Sequence, residues 1–136
     1  MGLDMILYVT DGEEKTLEEF NEINNLWSTC ECFPWRKANS IHKWFVENVQ
    51  NNNDDCGVYE VSFEQLMGLK SKVASVLADN RKGPKLLPTT AGFFFGSTEY
   101  DDWYLEDLVL TMNHLNECEL MYGANPDSKF YYSSSW

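Results

Sequence analysis

Lys129 to Trp136 reads KFYYSSSW. Phe130, Tyr131 and Tyr132 stand in a row, and aromatic side chains favour a pleated, half-buried backbone, so this stretch predicts a strand. Near the other end of the chain Leu3 to Thr10 reads LDMILYVT, a short run of large apolar residues stopped by the turn signal Asp11-Gly12. Both segments need burial, and pairing them with each other or with a common neighbour achieves it. The expected fold class is therefore α+β. Residues 1–136 should form a single domain in which three to four helices pack on one face of a small, mainly antiparallel sheet that includes both chain termini.

The intervening sequence supplies the helices. From Thr16, TLEEFNEINNLW places Leu17, Phe20, Ile23 and Trp27 at steps of three, three and four, the pattern of an acidic amphipathic helix. Trp35 to Gln50 (WRKANSIHKWFVENVQ) reads as the clearest helix: Pro34 precedes it, and Ala38, Ile41, Phe45 and Val49 share one face. Asn51-Asn52-Asn53-Asp54-Asp55 then reads as a polar loop and Val58 to Val61 as a short strand. Ser62 with Gln65 makes a capping box for a helix over Phe63–Ala78, with Leu66, Leu69, Val73, Val76 and Leu77 as its core stripe. Asp79 to Lys85 is a basic connection punctuated by Gly83-Pro84. Gly92-Phe-Phe-Phe-Gly96 follows, and Thr98 with Asp101 suggests a second capping box for a helix running through Glu117. Gly123 to Ser128 reads as a loop.

With 43% hydrophobic and 15% aromatic residues in 136, the chain can build a core and is not a disordered tail. Ten basic against 22 acidic residues give a net charge of −12, which argues against direct nucleic-acid binding through a broad basic surface. Cys30, Cys32, Cys56 and Cys118 are too sparse for a disulfide-dense scaffold, so a cytoplasmic setting is expected. No stretch approaches the ~20 apolar residues that span a bilayer, the start lacks a basic leader, and Ile6 stands where a myristoylation signal needs Ser or Thr. The expectation is therefore no membrane association and no export.

Four strings, MGLDMILY, WRKANSIHKWF, LLPTTAGFFFGSTEYDDWY and YYSSSW, resemble a family of small, functionally uncharacterised proteins encoded by tailed bacteriophages and prophages. The likeness spreads over nearly the whole chain and departs from the usual family pattern at Ile6 and Pro34. It implies a protein acting inside an infected bacterial cell, accessory to the virion, with no established cofactor.

Two functional readings compete. In the first, carboxylates along Asp101 to Glu119 and Glu13 to Glu22, with Asp101, Asp102, Glu106 and Asp107 foremost, meet a basic surface on a host bacterial protein such as one of defence or nucleic-acid handling; the region from Glu99 to Glu119 holds seven acids and no Lys or Arg. The plain alternative is a solvated acidic face that serves solubility. In the second, Arg36, Lys37, Asn39, His42, Glu99 and Tyr100 meet across the fold around a small, nucleotide-like ligand, or form a weak enzyme. Asn39 and His42 look inward from a helix whose other polar residues look outward, and an unpaired buried polar group costs ~1–3 kcal/mol. A ligand, water or backbone carbonyl must satisfy them. Asp54-Asp55 would raise rather than lower the Cys56 thiol pKa, which disfavours a Cys56–His42 nucleophilic pair. Zinc on Cys30, Cys32, Cys56 and His42 lacks a second closely spaced ligand pair, so no metal and no cofactor are assigned. Cys30 and Cys32 read instead as alternate residues of an extended segment.

Overall fold

The computed structural model describes residues 2–10, 31–92 and 96–136. The helix expected over Thr16–Trp27 and the aromatic residues Phe93 to Phe95 lie outside them. Among the described residues four strands, β1 (Asp4–Thr10), β2 (Glu31–Arg36), β3 (Val58–Val61) and β4 (Lys129–Ser135), form one antiparallel sheet in the order β2-β1-β4-β3. The helices are α1 (Asn39–Asn48), α2 (Phe63–Ala78), the short α3 (Gly83–Leu86) and α4 (Asp102–Ala124), with a single 3₁₀ turn at Asn80–Lys82. The α+β expectation holds, with the first and last strands paired side by side.

Alternation sorts the side chains. Leu7 lies opposite Tyr132 on one side and Phe33 on the other, and Val9 lies opposite Phe130, so these residues share a face with Met5, Trp35 and Val61. That face belongs to the main core with Ile41 and Phe45 of α1, Leu66, Leu69, Val73 and Val76 of α2, and Leu108 and Leu115 of α4. Tyr8 and Tyr131 face the opposite way, both buried, with Ile6, Cys32 and Val58 packed beside them.

Two helix boundaries differ from the sequence expectation. Trp35 and Arg36 belong to β2, and α1 starts at Asn39 after a turn in which Lys37 takes φ 58° and donates its backbone N–H to Leu3 O at 2.7 Å. Pro34, expected before a helix, sits instead in the sheet's outer strand, where a residue without an N–H is tolerated. Trp35 then falls in step with Phe33 on the core face. At the other end of the chain α4 runs past Glu117 to Ala124, because Met121 and Tyr122 still pack on the core and Tyr122 stacks on Phe63 at 3.9 Å. The N-cap of α4 is Asp101 itself, whose carboxylate accepts from Tyr104 N at 3.1 Å, while Thr98 lies upstream of the helix. The Ser62–Gln65 capping box of α2 forms as read.

Two contacts seat α4 against β2. Trp35 Nε1 donates to Thr111 Oγ1 at 2.8 Å in the core, and Thr111 donates to Asp107 O at 2.7 Å. His114, between the rings of Phe33 and Trp35, has Nε2 2.8 Å from Pro34 O. Thr111→Val would leave the indole N–H buried without an acceptor, and the expected loss is about 1–3 kcal/mol in urea denaturation. Adding Trp35→Phe should cost less in that background than in wild type, and strictly additive losses would show that the bond contributes nothing.

Candidate functional site

Where the end of β2, the first turn of α1 and the first turns of α4 converge, they enclose a cleft of ≈ 300 Å³. Asn39 builds one side of it. Its carboxamide Nδ2 donates to Ser97 O at 2.8 Å and its Oδ1 accepts from Thr90 N at 3.1 Å, so one α1 side chain fastens both ends of the loop that leads into α4. Within that loop Thr89 Oγ1 donates to Thr98 O at 2.9 Å, and Thr89 N donates to the Tyr100 hydroxyl at 3.1 Å. Gly96 adopts φ +82°, and a Cβ there would stand 3.3 Å from Lys37 Cβ. Both the backbone angle and the close approach to the Lys37 stem therefore call for glycine.

The cleft walls carry Arg36 and Lys37 from the end of β2, Glu99 and Asp101 from the loop and cap, and Trp103 and Asp107 from α4. Burial, followed by the charges of Glu106 and Asp101, pushes the Asp107 carboxyl up to about 6. Near neutral pH it can accept or donate a hydrogen bond. Arg36 makes a loose contact with Asp4 at 4.0 Å and is otherwise exposed. The arrangement offers charges of both signs beside an indole that is 73% exposed.

Of the residues read as a ligand constellation, Arg36, Lys37, Asn39 and Glu99 come together on this cleft, whereas His42 and Tyr100 do not line it. His42 lies in the core. Its Nδ1 is 2.6 Å from Tyr132 Oη and its Nε2 is 3.0 Å from Asp54 Oδ1, an oxygen that also accepts from Trp136 Nε1 at 3.0 Å. Full burial raises the Tyr132 phenol well above its ordinary value, so Tyr132 keeps its proton and donates to Nδ1. Burial also lowers the His42 pKa, against the pull of Asp54, which fixes the neutral ring with Nε2–H donating to Asp54. The imidazole thus ties α1 to β4 and to the loop after α1. Tyr132 also stacks flat on Phe45 at 3.8 Å.

Cys56 is exposed at φ 60°, Cys118 is buried with its thiol pushed up to about 12, and Cys32 lies on β2. Cys30 lies outside the described residues, among which no group of three or more His, Cys, Asp or Glu is arranged to hold a metal ion. No helix among the described residues is long and apolar enough to cross a membrane.

The residues read as a partner surface divide. Asp101 and Asp107 face the cleft, while Asp102 and Glu106 begin an outward stripe of α4 that continues through Val109, Asn113, Glu117 and Leu120 at steps of three and four. Trp103 was not singled out by sequence reasoning, and the signal lay in its phase. Tyr104, Leu108, Thr111, Leu115 and Cys118 are the buried stripe, which leaves the neighbouring indole on the flank. No protein-family model, curated protein or solved structure matches this chain.

The raised Asp107 pKa has a stability consequence whose sign is fixed. The folded chain holds a proton that the unfolded chain, near 3.8, releases, so this contribution is complete below about 4 and is lost as pH rises through about 6. Asp107→Asn should gain on wild type across that window, by roughly 1 kcal/mol once partial exposure is allowed for. Paired urea titrations across this pH range measure the difference, and the burial of His42 and His114, common to both proteins, cancels in it. Parallel curves would refute the account of a carboxyl destabilised by its surroundings.

Proposed function

We propose that this chain is a phage-encoded accessory protein that modulates a host bacterial protein by binding a basic surface on it through the outward face of α4. The observation that carries the reading is the composition of that face. Trp103 is 73%, Leu120 69%, Val109 49% and Leu110 38% exposed on one helix, interleaved with Asp102, Glu106 and Glu117 and with no cation. Large apolar side chains on an acidic helix are the makings of an interface: the apolar groups supply the buried area and the carboxylates supply steering and register.

The surface around Leu110 is also shallowly concave. One depression is lined by Leu105, Glu106, Val109 and Leu110, and a second, lined by Ile6, Pro34, Arg36 and Leu110, joins it to the edge of β2. Leu110 belongs to both, so the two depressions adjoin at that residue. The likeness of four sequence strings to phage proteins supplies the setting of an infected cell, and the excess of 22 acidic over ten basic residues supports a basic partner.

Affinity capture from bacterial lysate with wild type beside a Trp103→Ala, Leu120→Ser variant tests this. A basic protein should be retained by wild type at about 0.05 M salt, released by about 0.5 M salt, and reduced at least about tenfold on the variant. Identical retention by both baits, or retention indifferent to salt, would overturn the assignment of α4.

A further inference from the structure

A second cavity, of ≈ 190 Å³, lies along α1 from the cleft, and the two have Ser40 in common. Their shared wall is one stripe of α1: Asn39 and Ser40 face the cleft, and Ser40, Lys43, Trp44, Glu47 and Asn48 face the second cavity. The opposite wall is also continuous in sequence, since Lys85 to Pro88 line the second cavity and Thr89 lines the cleft. The two depressions therefore lie end to end along α1.

Their charge is polarised. The second cavity gathers Lys43, Lys72 and Lys85 against Glu47 alone, on a protein whose net charge is −12. Lys43 reaches Glu47 at 3.9 Å, whereas Lys72 and Lys85 form no ion pair among the described residues. At the other end, Glu99, Asp101 and Asp107 outnumber Arg36 and Lys37, and the exposed face of Trp103 offers a cation a π surface. The centres of the two α1 contacts are separated by about five residues, or roughly 8 Å at ~1.5 Å per residue. An extended chain covers that distance in two to three residues at ~3.3 Å each.

We propose that the two depressions act together as one groove and bind a short extended peptide segment carrying a cationic side chain at the Asp101–Trp103 end and a carboxylate, two or three residues away, at the Lys43–Lys72–Lys85 end. A small anion would satisfy only the lysines and a small cation only the carboxylates. An extended dipolar chain satisfies both. The site shares Trp103 with the proposed partner face of α4, but its lysines come from α1, α2 and α3, so the lysine substitutions test it without touching that face.

The test titrates the intact protein with the blocked tetrapeptides Arg-Ala-Ala-Glu, Glu-Ala-Ala-Arg and Gln-Ala-Ala-Gln and follows amide and indole NMR shifts. The first or second peptide, whichever direction the groove takes, should bind at least about tenfold more tightly than the neutral one. It should move Ser40, Lys43, Thr89 and the Trp103 indole together. Lys72→Glu with Lys85→Glu should reduce that affinity about tenfold with the rest of the spectrum unchanged, and Glu99→Gln with Asp107→Asn should do the same from the other end. Equal binding of all three peptides, shifts confined to one cavity, or indifference to either pair of substitutions would overturn the proposal.

Discussion

The antiparallel pairing of β1 with β4 is the constraint on which the other elements depend. It joins the two ends of the chain over seven residues, from Asp4 opposite Ser135 to Thr10 opposite Lys129, and so closes the longest loop in the fold. β2 adds on one flank of this pair and β3 on the other. Its register is strict, because a slip of one residue would carry Leu7 and Tyr132 to the opposite face. Tyr132 is the ring on which Phe45 stacks and whose hydroxyl meets His42, so the seat of α1 would be lost with it.

Long, strongly patterned segments were legible in the sequence. KFYYSSSW and LDMILYVT are strands, the Ser62 box opens α2, and the core stripe of that helix lies where its period puts it, with Leu77 partly buried at the margin. The boundary at Pro34 was not legible, for a physical reason. A proline ahead of an apolar period describes both a helix start and an outer strand followed by a turn, and only the partner strand distinguishes them. Trp35 is held by Met5 across the sheet and by Thr111 of α4, contacts remote in sequence. The left-handed turn at Lys37 is likewise imposed by its bond to Leu3 O, since nothing about a lysine announces positive φ.

The candidate site was legible in part for a related reason. Inward-facing Asn39 and His42 were recognisable as polar groups needing partners, and both have them. Asn39 bonds two main-chain groups of the loop before α4, and His42 bonds two side chains that arrive from elsewhere in the chain. Residues committed in this way shape a cavity without offering it their hydrogen bonds. The groups that remain available are the charged ones at the cleft margin, Arg36, Lys37, Glu99 and Asp107, together with the Trp103 indole, which a search for buried polar residues passes over.

What net charge says about function is accordingly limited, and its distribution says more. Solubility is served by a charge of −12 however it is spread, and the exposed pairs Arg81–Asp79 and Lys70–Glu119 contribute little to stability. Neither consideration speaks to three lysines drawn around one small cavity while the charged residues of the outward stripe of α4 are all acids. That segregation, beside concave surface in both places, is what the two proposed binding surfaces have in common.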